Sequence, residues 1–388
     1  MNDDIYKKSL ELHAQYHGKL ETVSKIKLDS KEVLSLAYSP GVAEVSREIA
    51  RDPALAREYT LKRNTIAIVS DGSAILGLGN LGSLAAIPVM EGKAAIFKEF
   101  AGVDAFPICL DTQDTEEIIK AVKQIAPVFG GINLEDISAP RCFEIEERLR
   151  KELSIPVMHD DQWGAATVSL AAFINSLKLI NLKLETPLKL EEVKIVLSGV
   201  GAAGVATARL LNTYGAKNIV YVDSKGIIHK NRTGLTKEKI ELLAQSTAVV
   251  EEGNLADALK NAHVFIGLSK PAVVTKEMVQ SMATNPVIFG LANPTPEIMP
   301  EEAKAAGAYI VATGQSDYPN QINNSLVFPG AFRGMLENHI PQFKIEMFSA
   351  IGVALANSVT DLAPEKIIPS MWDKNVVNIV SETIKKFK

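Results

Sequence analysis

Cysteine is nearly absent: only Cys109 and Cys142 occur in 388 residues. Two thiols build no disulfide framework, which excludes the small stapled secreted folds. Cys109 lies in the apolar run 105–110 and reads as a buried thiol. A basic block is missing as well. The net charge is -5, which argues against nucleic acid as a partner. No apolar run reaches the length that spans a bilayer, so no membrane partner is expected. The opening MNDDIYKKSLELH is polar and acidic, unlike a secretory leader. Internal repeats and low-complexity stretches are lacking. These absences point to a cytoplasmic globular protein. Its 47% apolar and 22% charged residues suit well-formed cores, and 388 residues suit two domains.

What is present is organised around two acidic stretches, Gly130-Gly131-Ile132-Asn133-Leu134-Glu135-Asp136 and Val157-Met158-His159-Asp160-Asp161-Gln162. Each begins as an apolar, strand-like run and ends in carboxylates. Strand ends of α/β sheets are where ligands sit. Carboxylates converging there repel one another unless a cation lies between them, and oxygen-only ligands suit Mg²⁺ or Mn²⁺. A plainer reading stands beside this one. Glu135 and Asp136 can be a solvated strand end, and Asp160 and Asp161 can cap a helix starting at Gln162. Glu135 and Asp136 are adjacent, so both face one ion only if their strand has already ended.

The chain begins with a helix over 3–20, Ile5, Leu10, Leu12 and Tyr16 sharing a face. Tyr38 precedes a helix that Pro40 opens. In a closed cleft its hydroxyl can donate a proton; otherwise it meets water. A strand over 64–72 leads into Gly77-Leu78-Gly79-Asn80-Leu81-Gly82. That run fits G-x-G-x-x-G formally, but it starts five positions beyond Gly72, and no second strand ends in an acid at the right distance. A helix through Leu84, Ile87 and Met90 follows. Lys93 then stands between Gly92 and an apolar stretch. It is either a snorkelling side chain or a base whose pKa burial and a divalent cation lower. Strands at 105–110, 131–136 and 155–159 alternate with helices near 115–126 and 140–153, which predicts a mostly parallel sheet.

A helix from Gln162 to about Leu179 and a linker over 181–188 lead to a second region. There the strand 194–198 runs straight into Gly199-Val200-Gly201-Ala202-Ala203-Gly204. A helix follows, then a strand ending at Asp223. This is the full dinucleotide fingerprint. Gly199 makes the turn, Gly201 admits the pyrophosphate, Gly204 lets helix and strand pack, and the helix N-terminus meets the phosphates. Asp223 is placed to accept ribose hydroxyls, which favours NAD over NADP. Further strands are expected near 247–250, 264–267, 286–291 and 309–311, then helices near 343–358 and 374–386 that pack back on the first domain. Asn293 follows a strand, and Asn323 and Asn324 sit in a polar run. Each asparagine either closes a turn or hydrogen-bonds a carboxylate or the nicotinamide amide. The fold expected is α/β with two domains: residues 1–160, a mostly parallel catalytic domain, and 161–388, a doubly wound Rossmann-type NAD domain with a helical tail.

The runs AYSPGVA (37–43), DGSAILGLGNLG (71–82), EGKAAIFKEFAGVDAFPICLD (91–111), INLEDISAP (132–140), HDDQWGAA (159–166), GVGAAG (199–204), LANPTPE (291–297) and YPNQINNSLVFPG (318–330) together resemble malic enzymes of the short bacterial type. They cover nearly the whole chain in that family's order. The resemblance implies that Tyr38 is the general acid and Lys93 the general base. It makes Glu135, Asp136 and Asp161 the ligands of Mg²⁺ or Mn²⁺. The loop Gly199, Gly201, Ala202, Ala203, Gly204 with Asp223 and Asn293 then binds NAD, and Lys93, Asn293, Asn323 and Asn324 hold malate. It implies oxidative decarboxylation of malate to pyruvate and CO₂, and a homodimer whose site the partner subunit completes. Two positions depart from the family pattern. Ala74 replaces a substrate-gripping arginine of the large-subunit members, and Trp163 stands at what would be the pocket mouth. A non-oxidative oxaloacetate decarboxylase or a malate-to-lactate enzyme on the same scaffold is the alternative. A metal-free dehydrogenase and a non-catalytic nucleotide sensor are more distant rivals.

Overall fold

The computed structural model describes residues 2–388. Two sheets carry the chain. The first runs β2-β1-β3-β4, with β1 at Thr65–Ser70, β2 at Asp104–Cys109, β3 at Gly131–Leu134 and β4 at Val157–His159. All its pairings are parallel. Helices Ser83–Ala101, Thr115–Ile125 and Arg141–Glu152 make the crossovers, as a parallel sheet requires. The chain leaves β1 toward β2 and then returns to the other side, so the switch point lies between β1 and β3. Ligand crevices form at such points. Both acidic stretches end beside it.

The second sheet runs β10-β9-β8-β5-β6-β7. Its strands are β5 Ile195–Ser198, β6 Ile219–Asp223, β7 Gly226–Ile227, β8 Val264–Gly267, β9 Val287–Gly290 and β10 Ile310–Thr313. All pair in parallel except β7, which returns antiparallel on β6. The sequence reading missed β7 and placed a strand near 247–250 instead. That stretch forms no strand, and Val249 is 99% exposed. An apolar run with its valine in water has nothing to pair against.

Two helix boundaries moved. The helix expected to stop near Met90 continues through Gly92 to Ala101, with Lys93 on its buried face. Pro88 and Gly92 do not end it, because that face lies in the core. The helix expected from Gln162 begins at Asp160, and the expected boundary at 160/161 falls inside its first turn. That helix, Asp160–Asn181, is by length and composition alone apolar enough to cross a bilayer, contrary to the reading of the sequence. The protein buries 83% of its apolar window, so it serves as a core helix.

The tail packs back on the first domain as expected. Helix Phe328–Asn338 sets Phe328 at 4.6 Å and Phe332 at 5.7 Å from the ring of Phe97. Arg333 donates to the carbonyl of Ala101, which ends the Lys93 helix. One apolar core therefore joins both sheets and the tail. By contrast, helices Lys31–Ala37, Val42–Arg51 and Leu55–Tyr59 bury no residue.

Phe332 is fully buried and also meets Phe343 at 5.4 Å. Phe332→Ala is expected to cost about 3–5 kcal/mol in denaturant unfolding. A loss below about 1 kcal/mol would show that the tail is not part of the first domain's core.

Candidate active site

The site grows from the end of β3. The strand stops at Leu134, and Asp136 takes φ +53°, a left-handed turn that points Glu135 and Asp136 the same way. The turn is tied down by Ala74 N–H, which donates to the Asp136 carbonyl at 3.0 Å. From the next strand end, Asp161 Oδ2 accepts the Asp136 N–H at 2.8 Å. Glu135, Asp136 and Asp161 thereby offer one oxygen each within 4.8 Å of one another.

Lys93 enters from the helix Ser83–Ala101. Its Nζ lies 2.5 Å from Glu135 Oε1 and 2.5 Å from Asp160 Oδ2, with all three side chains buried. The ammonium also sits 4.6 Å above the ring of Phe328, a residue of the tail. Asp160 does more than open the helix Asp160–Asn181. It is the partner of Lys93 and accepts from Asn324 Nδ2 as well. A Cβ on Gly164 would fall 2.3 Å from Asp160 Oδ1, so glycine one turn on makes the room. Two neighbouring acids at a helix start hinted at Asp160, but only the fold shows which element each one faces.

Burial governs the titration of this cluster. It drives Asp136 up to about 8, helped by Asp161 and Glu135. It drives Glu135 and Asp160 up to about 7 despite the opposing pull of Lys93. Burial depresses His159, 3.2 Å from Asp161, to about 3, so it stays neutral. Lys93 departs from expectation. Burial lowers its pKa, but Asp160, Glu135 and Asp161 outweigh burial and raise it. Asp136 Oδ2 and Asp160 Oδ1 are buried with no hydrogen-bond donor. Crowded carboxylates with orphaned oxygens fit a hard divalent cation such as Mg²⁺ or Mn²⁺.

The second fingerprint has the expected steric form. Gly199 takes φ +95°, and a Cβ on Gly204 would strike the Gly199 carbonyl at 1.9 Å. A Cβ on Gly201 would meet nothing within 4 Å. That open cradle before helix Ala202–Tyr214 fits a pyrophosphate. Ala202 and Ala203 open the helix. The first glycine run serves differently. A Cβ on Gly77 would meet the Asn293 carbonyl at 2.6 Å, so that loop walls the cleft against the nucleotide domain.

Not every expected residue joins the cluster. Asn324 does, through Asp160, whereas Asn323 Oδ1 accepts from Ser325 N–H and starts a turn. Asn293 stands exposed after β9. Tyr38 is 69% exposed at the end of helix Lys31–Ala37, and among the described residues no hydrogen bond ties it to Lys93. The helix expected to open at Pro40 begins at Val42. Trp163 does not shape the pocket mouth. Its indole donates to buried Glu146 at 2.9 Å and stacks on Phe348 at 4.9 Å, within the core. The loop of Ala74 does receive a cation. Arg141 pairs with Asp71 at 2.9 Å and donates to Ser73 and Ser138 Oγ. Its donors brace that loop.

The sequence model of the malic enzyme N-terminal domain matches residues 17–150, and that of the malic enzyme NAD binding domain matches 163–385. A bifunctional malic/malolactic enzyme of Bacillus subtilis is 49% identical, over 98% of this chain and 92% of its own. An NAD-dependent malic enzyme of Geobacillus stearothermophilus is 52% identical, over 95% of this chain and 76% of its own. The crystal structure of an NAD-dependent malic enzyme from Thermotoga maritima superposes with TM-score 0.93 and 48% identity, over 97% of this chain and 98% of that one.

The raised pKa of Asp136 has a thermodynamic consequence. Between its ordinary value of 3.8 and about 8, the folded chain holds more protons than the unfolded one. Stability is therefore lost as pH rises through that window. Mn²⁺ competes with those protons, so its stabilisation in thermal melts should be larger near pH 8 than near pH 5.5. Equal Mn²⁺ shifts at both pH values would contradict the assignment.

Proposed function

The chain belongs to the malic enzyme family, and we propose that Lys93, Tyr38 and the acids Glu135, Asp136 and Asp161 carry its reaction. That reaction is the divalent-metal-dependent oxidative decarboxylation of malate to pyruvate and CO₂ with reduction of NAD. The observation that carries the assignment is the buried Lys93 ammonium between Glu135 and Asp160, beside the three-carboxylate set. Residues 1–160 form the catalytic domain in this reading, and 161–388 the NAD domain with its tail. Its place is the cytoplasm.

Glu135, Asp136 and Asp161 would hold Mg²⁺ or Mn²⁺, which would supply Lewis-acid polarisation of the substrate's oxygens. The loop Gly199–Gly204 would hold NAD, which would supply the acceptor for the hydride of C2. Lys93 keeps its proton while the carboxylates are bare. Once their charge is neutralised, burial favours the amine, and Lys93 takes the hydroxyl proton. Asp160 and Asn324 fix where that amine points. The C3–C4 bond then breaks, CO₂ departs, and Tyr38 delivers a proton to C3. The proton on Lys93 then reloads Tyr38, so the hydroxyl proton of malate replaces the one delivered to C3 and the count closes. Asn293 would reach the substrate from the nucleotide side.

Tyr38 needs a second subunit. Ile5, Leu10, Leu28, Leu36 and Tyr38 are all exposed on an N-terminal segment rich in uncovered apolar side chains. We read this segment as the arm of a homodimer that carries Tyr38 to the partner's Lys93. The name of the Bacillus subtilis relative keeps malate-to-lactate conversion as the second reading. Release of free NADH in step with CO₂ distinguishes the two.

Lys93→Ala is expected to lower kcat by about 10²–10⁴-fold with NAD affinity unchanged. Near-normal turnover would remove Lys93 from the chemistry. Mixing unfolded Tyr38→Phe and Lys93→Ala chains and refolding them together should restore part of the activity. A hybrid dimer then holds one intact site. No recovery in confirmed hybrids would place Tyr38 and Lys93 of one chain in the same site.

A further inference from the structure

Behind the acid cluster lies a carboxylate that the mechanism does not use. Glu146 sits in the helix Arg141–Glu152 and is 5% exposed. Its neighbours on that helix behave as surface acids do. Glu144 pairs with Arg148, Glu147 with Lys151 and Glu152 with Lys123. Among the described residues no lysine or arginine pairs with Glu146, whose oxygens take only neutral donors. A buried carboxylate without a countercharge is costly, and a well-packed apolar side chain would join two helices at less cost. Adhesion between helices therefore does not account for an acid here.

Its donors show what it holds. Oε1 accepts from the His159 N–H at 3.0 Å and from Trp163 Nε1 at 2.9 Å. Oε2 accepts from Gln162 Nε2 at 3.0 Å and from Trp163 Nε1 at 3.1 Å. His159 directly precedes the pair Asp160-Asp161, and Gln162 and Trp163 directly follow it. One carboxylate thus grips the chain on both sides of the two acids. The start of the helix Asp160–Asn181 needs that grip. His159 is its N-cap residue and makes no side-chain capping bond. Asp160 and Asp161 are engaged elsewhere, the first with Lys93 and the second with the Asp136 N–H. Successive helix residues point about 100° apart. A small rotation of this first turn would therefore swing Asp160 off Lys93 and Asp161 off Asp136 together. The helix that carries Glu146 also follows the turn of Glu135 and Asp136, so the grip ties the end of β3 to the end of β4.

We propose that Glu146 is a positioning residue, a clamp on the turn between β4 and the helix Asp160–Asn181 that aims Asp161 at the divalent ion and Asp160 at Lys93. It acts through its hydrogen bonds to His159, Gln162 and Trp163, and touches neither ion nor substrate. The proposal rests on the metal site at Glu135, Asp136 and Asp161, so its test reads metal and NAD separately.

The test is titration of the apo chain with Mn²⁺ near pH 8, followed by the electron paramagnetic resonance signal of free Mn²⁺. NAD binding is measured by calorimetry on the same samples, and thermal melts check folding. Glu146→Leu keeps the length of the side chain and loses every acceptor. It should weaken Mn²⁺ about 10-fold or more, the scale set by partners that orient metal ligands, with NAD affinity unchanged. Glu146→Gln still accepts from His159 and Trp163, and Gln162 can turn its amide to pair with it. This variant should recover Mn²⁺ affinity to within about 3-fold of wild type, the scale of one hydrogen bond. Should Glu146→Leu not fold, Trp163→Phe decides: it removes one donor, keeps a ring on Phe348, and should weaken Mn²⁺ by about 3-fold with NAD unchanged. Wild-type Mn²⁺ affinity in folded Glu146→Leu, or in Trp163→Phe where that chain decides, would overturn the proposal and make Glu146 a brace of the core. Equal loss of Mn²⁺ and NAD would overturn it too, as would a Glu146→Gln chain no better than Glu146→Leu. Failure of the wild type to bind Mn²⁺ at all would overturn the metal site and this proposal with it.

Discussion

One buried ammonium organises this molecule. Lys93 sits between Glu135 and Asp160, all three of them buried, and an ion pair so placed must be well made. Removing one partner of such a pair leaves a charge stranded, at about 3–5 kcal/mol. Much of the nearby structure supports that geometry. The helix Ser83–Ala101 runs unbroken past Gly92 to bring the lysine in. Gly164 clears the space that Asp160 needs. The tail contributes Phe328 against the ammonium and Arg333 against the end of the lysine's helix. The tail thus packs with the first sheet in space, although it follows the second sheet in sequence.

Electrostatics makes the same cluster unfinished. Four acids and one lysine share a buried crevice, and the acids answer by holding protons well above their ordinary range. A divalent cation relieves that crowding and also changes Lys93. While bare acids surround it, the lysine is held charged. When their charge is cancelled, the same burial works toward the neutral amine. In the proposed mechanism one site thus links metal occupancy to the protonation of Lys93. The second sheet meets this crevice through the Gly77 loop and Asn293.

Much of this was legible in the sequence, for physical reasons. Buried parallel strands read as short apolar runs, and β1, β3, β5, β6 and β8 stand where such runs occur. The break after Leu134 was required if Glu135 and Asp136 were to face one ion, and the chain does turn there. The two glycine runs separated by their distance from the preceding strand. Other features depend on tertiary partners. Whether Pro88 and Gly92 stop a helix is decided by what covers its face. Asp160 and Asp161 are adjacent in sequence, yet one binds the lysine and the other the Asp136 backbone. β7 is only two residues long, too short for any periodicity. Asp223 announced a ribose acceptor, but Arg232 and Lys239 reach it from 9 and 16 residues away.

The central claim is that the three acids at the ends of β3 and β4 hold one divalent ion beside Lys93. Anomalous scattering from crystals grown with Mn²⁺ addresses it most directly. The account requires a single peak in the crevice, about 2.0–2.3 Å from oxygens of Glu135, Asp136 and Asp161, with Lys93 Nζ still against Asp160. A peak elsewhere, or none while the three carboxylates stay in place at neutral pH, would contradict it.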